Sequence, residues 1–461
     1  MKNVVIKTKF DDCKNLREIL NLINTSFFEK TAYYLLNIWI LYPLLMMMIT
    51  YMSNKDVSRN IMFYILTFIG SCGLLLGLIK GLKKFYKKEK ISIKKYLPIV
   101  IGIVLLLWCL ITCIFSIDIN LSIFGDYYRK EGLQTYFFYG GILLLSIMIK
   151  NKKLLLKIFN KLLFVEVIIG IIALLDNSIT YELMNNQESY TGIFSQFNHY
   201  GYYLMFGVIT SIFMFFYNKK NIIKLIYLLI YTFLLQMLVL NDTFGCFLSI
   251  FITLFLITIY YIFIKKKIKN LIPILGIFIL VCATTTRYNY NIVQKNFNRF
   301  FGDVALVNDT IKESKKEKDK KKKDEILNKI NSVGTTRGTL WKYGIKYIGE
   351  RPIVGYGIES TKPLYFKDKV DQSRPHNILI QFGVFTGIPG IIIYILFIGT
   401  ILIRNLKKIK VLDDISILSL FIVTCYLMSS MFGNSMFYTS PYFFIFLGII
   451  CKNAFYKKEL T

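Results

Sequence analysis

Apolar runs of about 20 residues recur along nearly the whole chain, and a helix of that length just spans the hydrocarbon core of a bilayer. Twelve such blocks lie near residues 31–51, 60–79, 97–117, 133–149, 158–175, 198–217, 222–240, 243–264, 271–283, 376–403, 413–433 and 437–451. Lipid offers backbone N–H and C=O groups no partner, so a segment that crosses it must be a helix or part of a closed barrel. Most of these blocks are too long for barrel strands, which need only about 10 residues. The sequence therefore predicts an all-α, polytopic membrane protein with about 12 transmembrane helices, a multi-pass protein of the cell membrane. Residues 1–30 are polar and mixed, so no cleavable signal peptide is expected there.

A formal charge of +29 raises the question of a nucleic-acid partner. Its distribution answers it. Segments 1–30, 80–96, 150–157, 218–224, 265–269, 404–410 and 452–461 hold 32 Lys and Arg, whereas the short segments that alternate with them, 52–59, 118–132, 176–197, 241–242 and 434–441, hold 4. Positive charge confined to alternate loops marks the cytoplasmic side, and it puts both termini there. The densest cluster, Lys80–Lys95, is placed to touch anionic headgroups. No nucleic-acid partner is needed, and no platform of stacking aromatics and Arg accompanies the charge. Of the eight Cys, all but Cys13 fall in or beside apolar blocks, which excludes a disulfide framework and a Cys-based zinc site.

The chain then divides into a cytoplasmic segment 1–30, nine spans over 31–283, a long external loop 284–375, three spans over 376–451 and a cytoplasmic tail 452–461. Within the long loop, residues 312–329 hold nine Lys and five acids and read as a solvated helix or a disordered insert. Beyond it, Trp341, Ile345 and Ile348 recur at helical spacing and predict an amphipathic helix near the membrane surface.

Only two His are present, and both fall at external ends of spans. His376 sits in Ser373-Arg374-Pro375-His376-Asn377, where the long loop returns to the membrane; Pro suits such a helix start. An imidazole there has the ordinary pKa of a general base, the alternative being an interfacial cap. His199 reads first as an interfacial residue. Arg129, in Gly125-Asp126-Tyr127-Tyr128-Arg129-Lys130-Glu131-Gly132, is held against the charge rule for its side. It either meets an anionic ligand or pairs with Asp126 or Glu131. Arg337, flanked by Gly334, Thr335, Thr336 and Gly338, suits a phosphate group, although the P-loop spacing is absent. Glu166 stands mid-span, either as a structural hydrogen-bonding group or protonated. No ligand set for a metal is expected.

Three segments resemble the O-antigen ligase and O-antigen polymerase superfamily. They are Thr191-Gly-Ile-Phe-Ser-Gln-Phe-Asn198-His-Tyr-Gly201, then Thr336-Arg337-Gly-x-x-Trp341 with Arg351-Pro352-Ile-Val-Gly355-Tyr-Gly357, then Pro375-His376-Asn377-x-Leu379-x-Gln381-x-Gly383-x-x-x-Gly387. The loop Arg129-Lys-Glu-Gly132 is similar to a fourth. The resemblance implies a membrane glycosyltransferase, independent of metal or other cofactor. It would take a glycan from undecaprenyl diphosphate at the outer face and pass it to a glycan or lipid-glycan acceptor. It carries catalytic roles to His376 and Arg337, and substrate-binding roles to Arg129, Arg374, Asn198 and Trp341. One departure is Asn241-Asp242-Thr243-Phe244-Gly245, where many members have a Ser-Arg segment; it leaves Arg129 or Arg287 to complete the diphosphate site and leans towards a polymerase. The alternatives are a multi-pass transporter, favoured mainly by Glu166, and a protein that binds or flips a lipid-linked glycan without chemistry.

Overall fold

A computed structural model describes residues 15–52, 55–87, 92–175, 194, 196–287, 290–317, 319, 321–322, 326, 328–334, 337–434 and 436–455. Of the segments singled out above, residues 1–14, 176–193, 335–336, much of 318–327 and 456–461 lie outside these. Among the described residues there are 17 α-helices. The first ten are α1 Leu16–Leu22, α2 Thr25–Met52, α3 Lys55–Tyr86, α4 Ile93–Ile114, α5 Ile119–Phe124, α6 Leu133–Met148, α7 Lys152–Leu175, α8 Phe197–Tyr217, α9 Asn221–Leu240 and α10 Phe244–Ile259. They continue as α11 Leu271–Thr284, α12 Ile292–Lys316, α13 Arg337–Glu350, α14 Thr361–Lys367, α15 Ile378–Leu406, α16 Asp414–Ser430 and α17 Ser440–Ala454. A two-residue hairpin, β1 Thr286–Arg287 with β2 Tyr290–Asn291, joins α11 to α12.

Every one of the twelve apolar blocks is a helix. Eight of the helices are long and apolar enough to cross a membrane, and α6, α11, α16 and α17 are shorter apolar helices. The chain is a polytopic membrane protein. Its helices meet where small residues allow it: α3 crosses α6 with Gly70 and Gly73 against Gly141, and a Cβ at any of the three would run into the opposing backbone. In lipid, close backbone approach of this kind substitutes for the hydrophobic drive between helices.

The basic segments gather at one end. Lys152 pairs with Asp413 at 2.9 Å and Lys265 with Asp414 at 3.2 Å. Arg404 donates to the carbonyls of Lys94 at 2.9 Å and Ala454 at 3.2 Å. At the other end the turn 125–132, the long loop and the segment 431–439 come together.

The long loop is largely helical, being built on α12, α13 and α14. The helix expected near Trp341 is α13, but its inward face is Leu340, Gly344 and Tyr347, while Ile345 is 62% exposed. Leu340 and Tyr347 pack with Tyr356, Tyr365 and Val384, and Trp341 and Ile348 of the expected stripe lie partly buried against the same cluster.

The tenth block, expected as one span over 376–403, starts as a helix at Ile378 and is broken at Gly387, whose φ of 70° and ψ of −176° only glycine adopts readily. The break frees backbone groups, and the segment after Pro352 takes them up. Tyr356 and Gly357 N–H donate to Val384 and Phe385 carbonyls at 2.8 and 3.0 Å, and Ile388 N–H donates to the Pro352 carbonyl at 2.8 Å. The Trp108 indole donates to Thr386 O at 2.9 Å. Broken helices are tolerated at membrane depth when protein satisfies them in this way. Gly355 and Gly357, with φ of 65° and 93°, leave no room for a Cβ beside Phe385 O and Ser122. Gly387→Ala is expected to cost about 1–3 kcal/mol from backbone strain, read as a lower thermal midpoint in detergent. Gly399→Ala, where nothing lies near the added atom, should leave that midpoint unchanged or raise it. Equal behaviour of the two variants would contradict this account of the break.

Candidate active site

The turn 125–132 presents Arg129. Gly125 has φ of 82° and abuts Glu131 N, so only glycine fits there. Asp126 accepts from Tyr128 N at 2.9 Å and binds Lys362 of α14 at 2.9 Å. Of the two partners that sequence reasoning offered to Arg129, Asp126 thus binds Lys362, yet it and Glu131 both remain within electrostatic reach of Arg129. Glu131 is fully buried and accepts the Tyr139 hydroxyl. Arg59, on α3, stacks over Tyr128 with 4.4 Å to the ring centroid. The Arg129 guanidinium itself donates through Nη2 to Ser373 Oγ, while its Nη1 is buried without a partner among the described residues.

Ser373 opens the return segment. Its carbonyl accepts Thr361 Oγ1 at 2.8 Å. Arg374 is wholly buried and forms an ion pair with buried Glu359. The Trp341 indole donates to the Pro375 carbonyl at 2.9 Å, tying α13 to this strand of chain. Asn377 caps α15, accepting Leu379 N and Ile380 N at 3.0 and 3.1 Å. Between these fixed points His376 takes a φ of 52°, a left-handed conformation that a non-glycine residue keeps only when its surroundings over-determine it. Its Nε2 lies 3.5 Å from Asn434 Nδ2, and its Nδ1 is buried with no partner among the described residues.

Electrostatics tie these groups into one site. Burial, and then the guanidiniums of Arg337, Arg129 and Arg374, push His376 down to about 3. Burial and the neighbouring Arg129 push Arg374 down to about 10. Burial and Arg299, on α12, lower Arg337. Arg337 donates only a long bond, Nη1 to Gly334 O at 3.4 Å. The imidazole is therefore neutral at physiological pH and faces three guanidiniums.

Five of the six expected site residues, namely His376, Arg337, Arg129, Arg374 and Trp341, thus meet. Asn198 lies in the first turn of α8, beside a residue that sequence reasoning left out. His199 is buried, accepts or donates at Nδ1 to the Tyr438 hydroxyl at 2.5 Å, and is within electrostatic reach of Arg129, Arg374 and His376. The signal was present in the sequence: both histidines of the chain fall at ends of apolar blocks. Asn434, Tyr438 and Arg299 were missed as well, and no motif marks them. Arg287, offered as a substitute phosphate ligand, is in β1, with its side chain outside the described residues. In the segment that replaces Ser-Arg, Asp242 accepts Asn296 of α12 at 2.5 Å. Glu166 is buried on α7 against Gly207 of α8, with neither carboxylate oxygen partnered among the described residues; its electrostatic neighbours are Tyr200 and Tyr203.

The family described as O-antigen ligase matches residues 200–395. The chain carries an O-antigen ligase domain. No curated protein matches the chain. The ligase domain contributes Arg337, Trp341, Arg374 and His376 to the cluster, while Arg129, His199 and Tyr438 come from outside the matched residues. If the guanidiniums depress the imidazole, removing one must raise its pKa, because the imidazolium then meets less repulsion. Arg337→Gln is expected to move His376 from about 3 towards its ordinary value by about one unit or more. Nitrogen chemical shifts of labelled histidine across pH check this; an unmoved titration would show that Arg337 does not face the ring.

Proposed function

We propose that this protein transfers or polymerises a glycan held on undecaprenyl diphosphate, at the outer face of the cytoplasmic membrane, in the synthesis of a cell-surface polysaccharide. In this reading the twelve apolar helices all span, both termini are cytoplasmic, and the end bearing His376 is external. One observation carries it: His376 Nδ1 and Arg129 Nη1 are buried with no hydrogen-bond partner among the described residues, where the guanidiniums of Arg337, Arg129 and Arg374 act together on the imidazole. Such a cluster is complementary to a diphosphate.

The donor's isoprenoid tail stays in the bilayer, and its diphosphate lies among Arg129 and Arg337. Arg374, its charge shared with Glu359, acts from behind the His376 segment; Trp341 fixes that segment, and Asn198 contributes from the first turn of α8. His376 takes the proton of the acceptor hydroxyl as that oxygen bonds to the anomeric carbon. The bond from this carbon to the diphosphate oxygen breaks with its electron pair, and the configuration inverts. Charge growing on the departing diphosphate meets preorganised donors, an effect typically worth several kcal/mol. The proton then leaves His376 for the diphosphate or for water. The energy resides in the donor, so no nucleotide is required.

In proteoliposomes holding lipid-linked glycan, His376→Ala is expected to lower transfer by about 10²–10⁴-fold, and Arg337→Ala by about 10²–10³-fold. Near-normal transfer by both variants would sink the reading. A protein that only bound or flipped the lipid-linked glycan would keep its full activity with alanine at 376. The pH profile offers a separate check. A bound diphosphate offsets the guanidiniums and favours the imidazolium, so the acid limb of kcat must fall at higher pH than that of kcat/KM. Coincident limbs would place His376 away from the diphosphate.

A further inference from the structure

At the basic end, the starts of α7 and α16 and the end of α17 enclose a cavity of about 280 Å³. Its lining is of two kinds. Leu155, Ile415 and Ile449 are aliphatic, while Lys150, Lys152 and Lys452 bring ammonium groups. Asp413 is the one carboxylate in the lining, and it is already occupied. Its Oδ1 accepts Ser416 N at 2.9 Å and Ser416 Oγ at 2.6 Å, and its Oδ2 binds Lys152 at 2.9 Å. Nearby Glu29 accepts the N–H groups of Lys150 and Asn151 at 2.6 and 2.5 Å, which caps α7.

Two ammoniums form no ion pair among the described residues, although Asp413 and Glu29 act on Lys452 from a distance. Lys452 Nζ donates to a neutral partner, the Ile149 carbonyl, at 3.0 Å, and has two further N–H groups. The Lys150 ammonium forms no hydrogen bond or ion pair among the described residues. Lysines on a solvated face need no partner, but these line a chamber that Leu155, Ile415 and Ile449 share with Ser416 and Asn453, at the level where membrane helices end. We infer that this cavity binds the phosphate of an anionic phospholipid, with the headgroup between Lys150 and Lys452 and the first methylenes of the lipid along Leu155 and Ile449. Basic pockets between membrane helices on the cytoplasmic side take up phosphate-bearing headgroups in this manner.

The test uses the full chain, delipidated in detergent, with binding followed by native mass spectrometry and thermal unfolding. Phosphatidylglycerol is expected to bind and raise the midpoint, and phosphatidylcholine to do neither. The double variant Lys150→Gln, Lys452→Gln should bind phosphatidylglycerol about 30-fold more weakly, at roughly fivefold per lysine. Lys150→Arg with Lys452→Arg should bind it as the parent does. Millimolar inorganic phosphate raising the midpoint as far as phosphatidylglycerol would assign the same cradle to a soluble phosphate and overturn the lipid. Equal binding of the two lipids by the parent, or undiminished binding by the glutamine variant, would overturn the site itself. Should the glutamine variant fail to fold, the comparison of the two lipids on the parent decides. Glycan transfer enters none of these readings, so the outcome is independent of the proposed function.

Discussion

Guanidiniums held around an imidazole repel one another, and the surrounding chain has to bear that repulsion. It does so with few counter-charges. Glu359 neutralises Arg374, which could not otherwise remain wholly buried. Asp126, three residues before Arg129, is held by Lys362, and it and Glu131 act on Arg129 only from a distance. What keeps the positive groups in place is mostly neutral bonding: Ser373 beneath Arg129, the Trp341 indole on Pro375, and the Asn377 cap on α15. Because these restraints do not depend on a ligand, the positive field exists before any anion arrives. An anion entering it meets dipoles and charges that are already oriented, the condition under which electrostatic stabilisation is largest.

The two ends of the molecule treat the same residue types differently. At the basic end, cations lie against the carbonyls with which helices finish. At the end of α17, Arg404 meets the Ala454 carbonyl and Lys408 the Asn453 carbonyl, each at 3.2 Å. Positive charge at a helix C-terminus is favourable, so most of these side chains are structural. At the other end Arg129 and Arg337 find hydroxyls or long carbonyl bonds instead. Counting charge along the chain separates the two ends but does not say which one is a site; the nature of the partners does.

That difference also marks how far the sequence could be read. The helices needed only the length of each apolar block, so all twelve were legible. Arg129 was legible because it stood against the charge rule for its side. The break in α15 was not, because the run from Ile378 to Ile403 stays apolar across it; Gly387 and Pro389 were the local hints, and what makes the break tolerable is a distant segment, Pro352–Gly357. His199 looked like one more interfacial residue until Tyr438, more than 200 positions away, supplied its partner. Arg299 lay in polar, Lys-bearing sequence with nothing to set it apart. The spacing of Trp341, Ile345 and Ile348 marked α13 as a helix but not its most buried side, because Leu340 and Tyr347 pack deepest in the small core around Tyr365, with Trp341 and Ile348 at its edge. In each case the missing information was tertiary.

The interruption at Gly387 has a mechanical side. Past it, α15 continues as an ordinary helix, but the turns before it are laced through Val384 and Phe385 to residues 356 and 357, and residues 356 and 358 are laced in turn to Ile117 N at 3.1 Å and Ser122 Oγ at 2.9 Å. The short piece from Ile378 to Thr386 is thus attached to the loops as well as to its own continuation. It is a floor that travels with the roof above it, so any rocking of that roof carries the imidazole and its cap as one plate, pivoting on a single glycine.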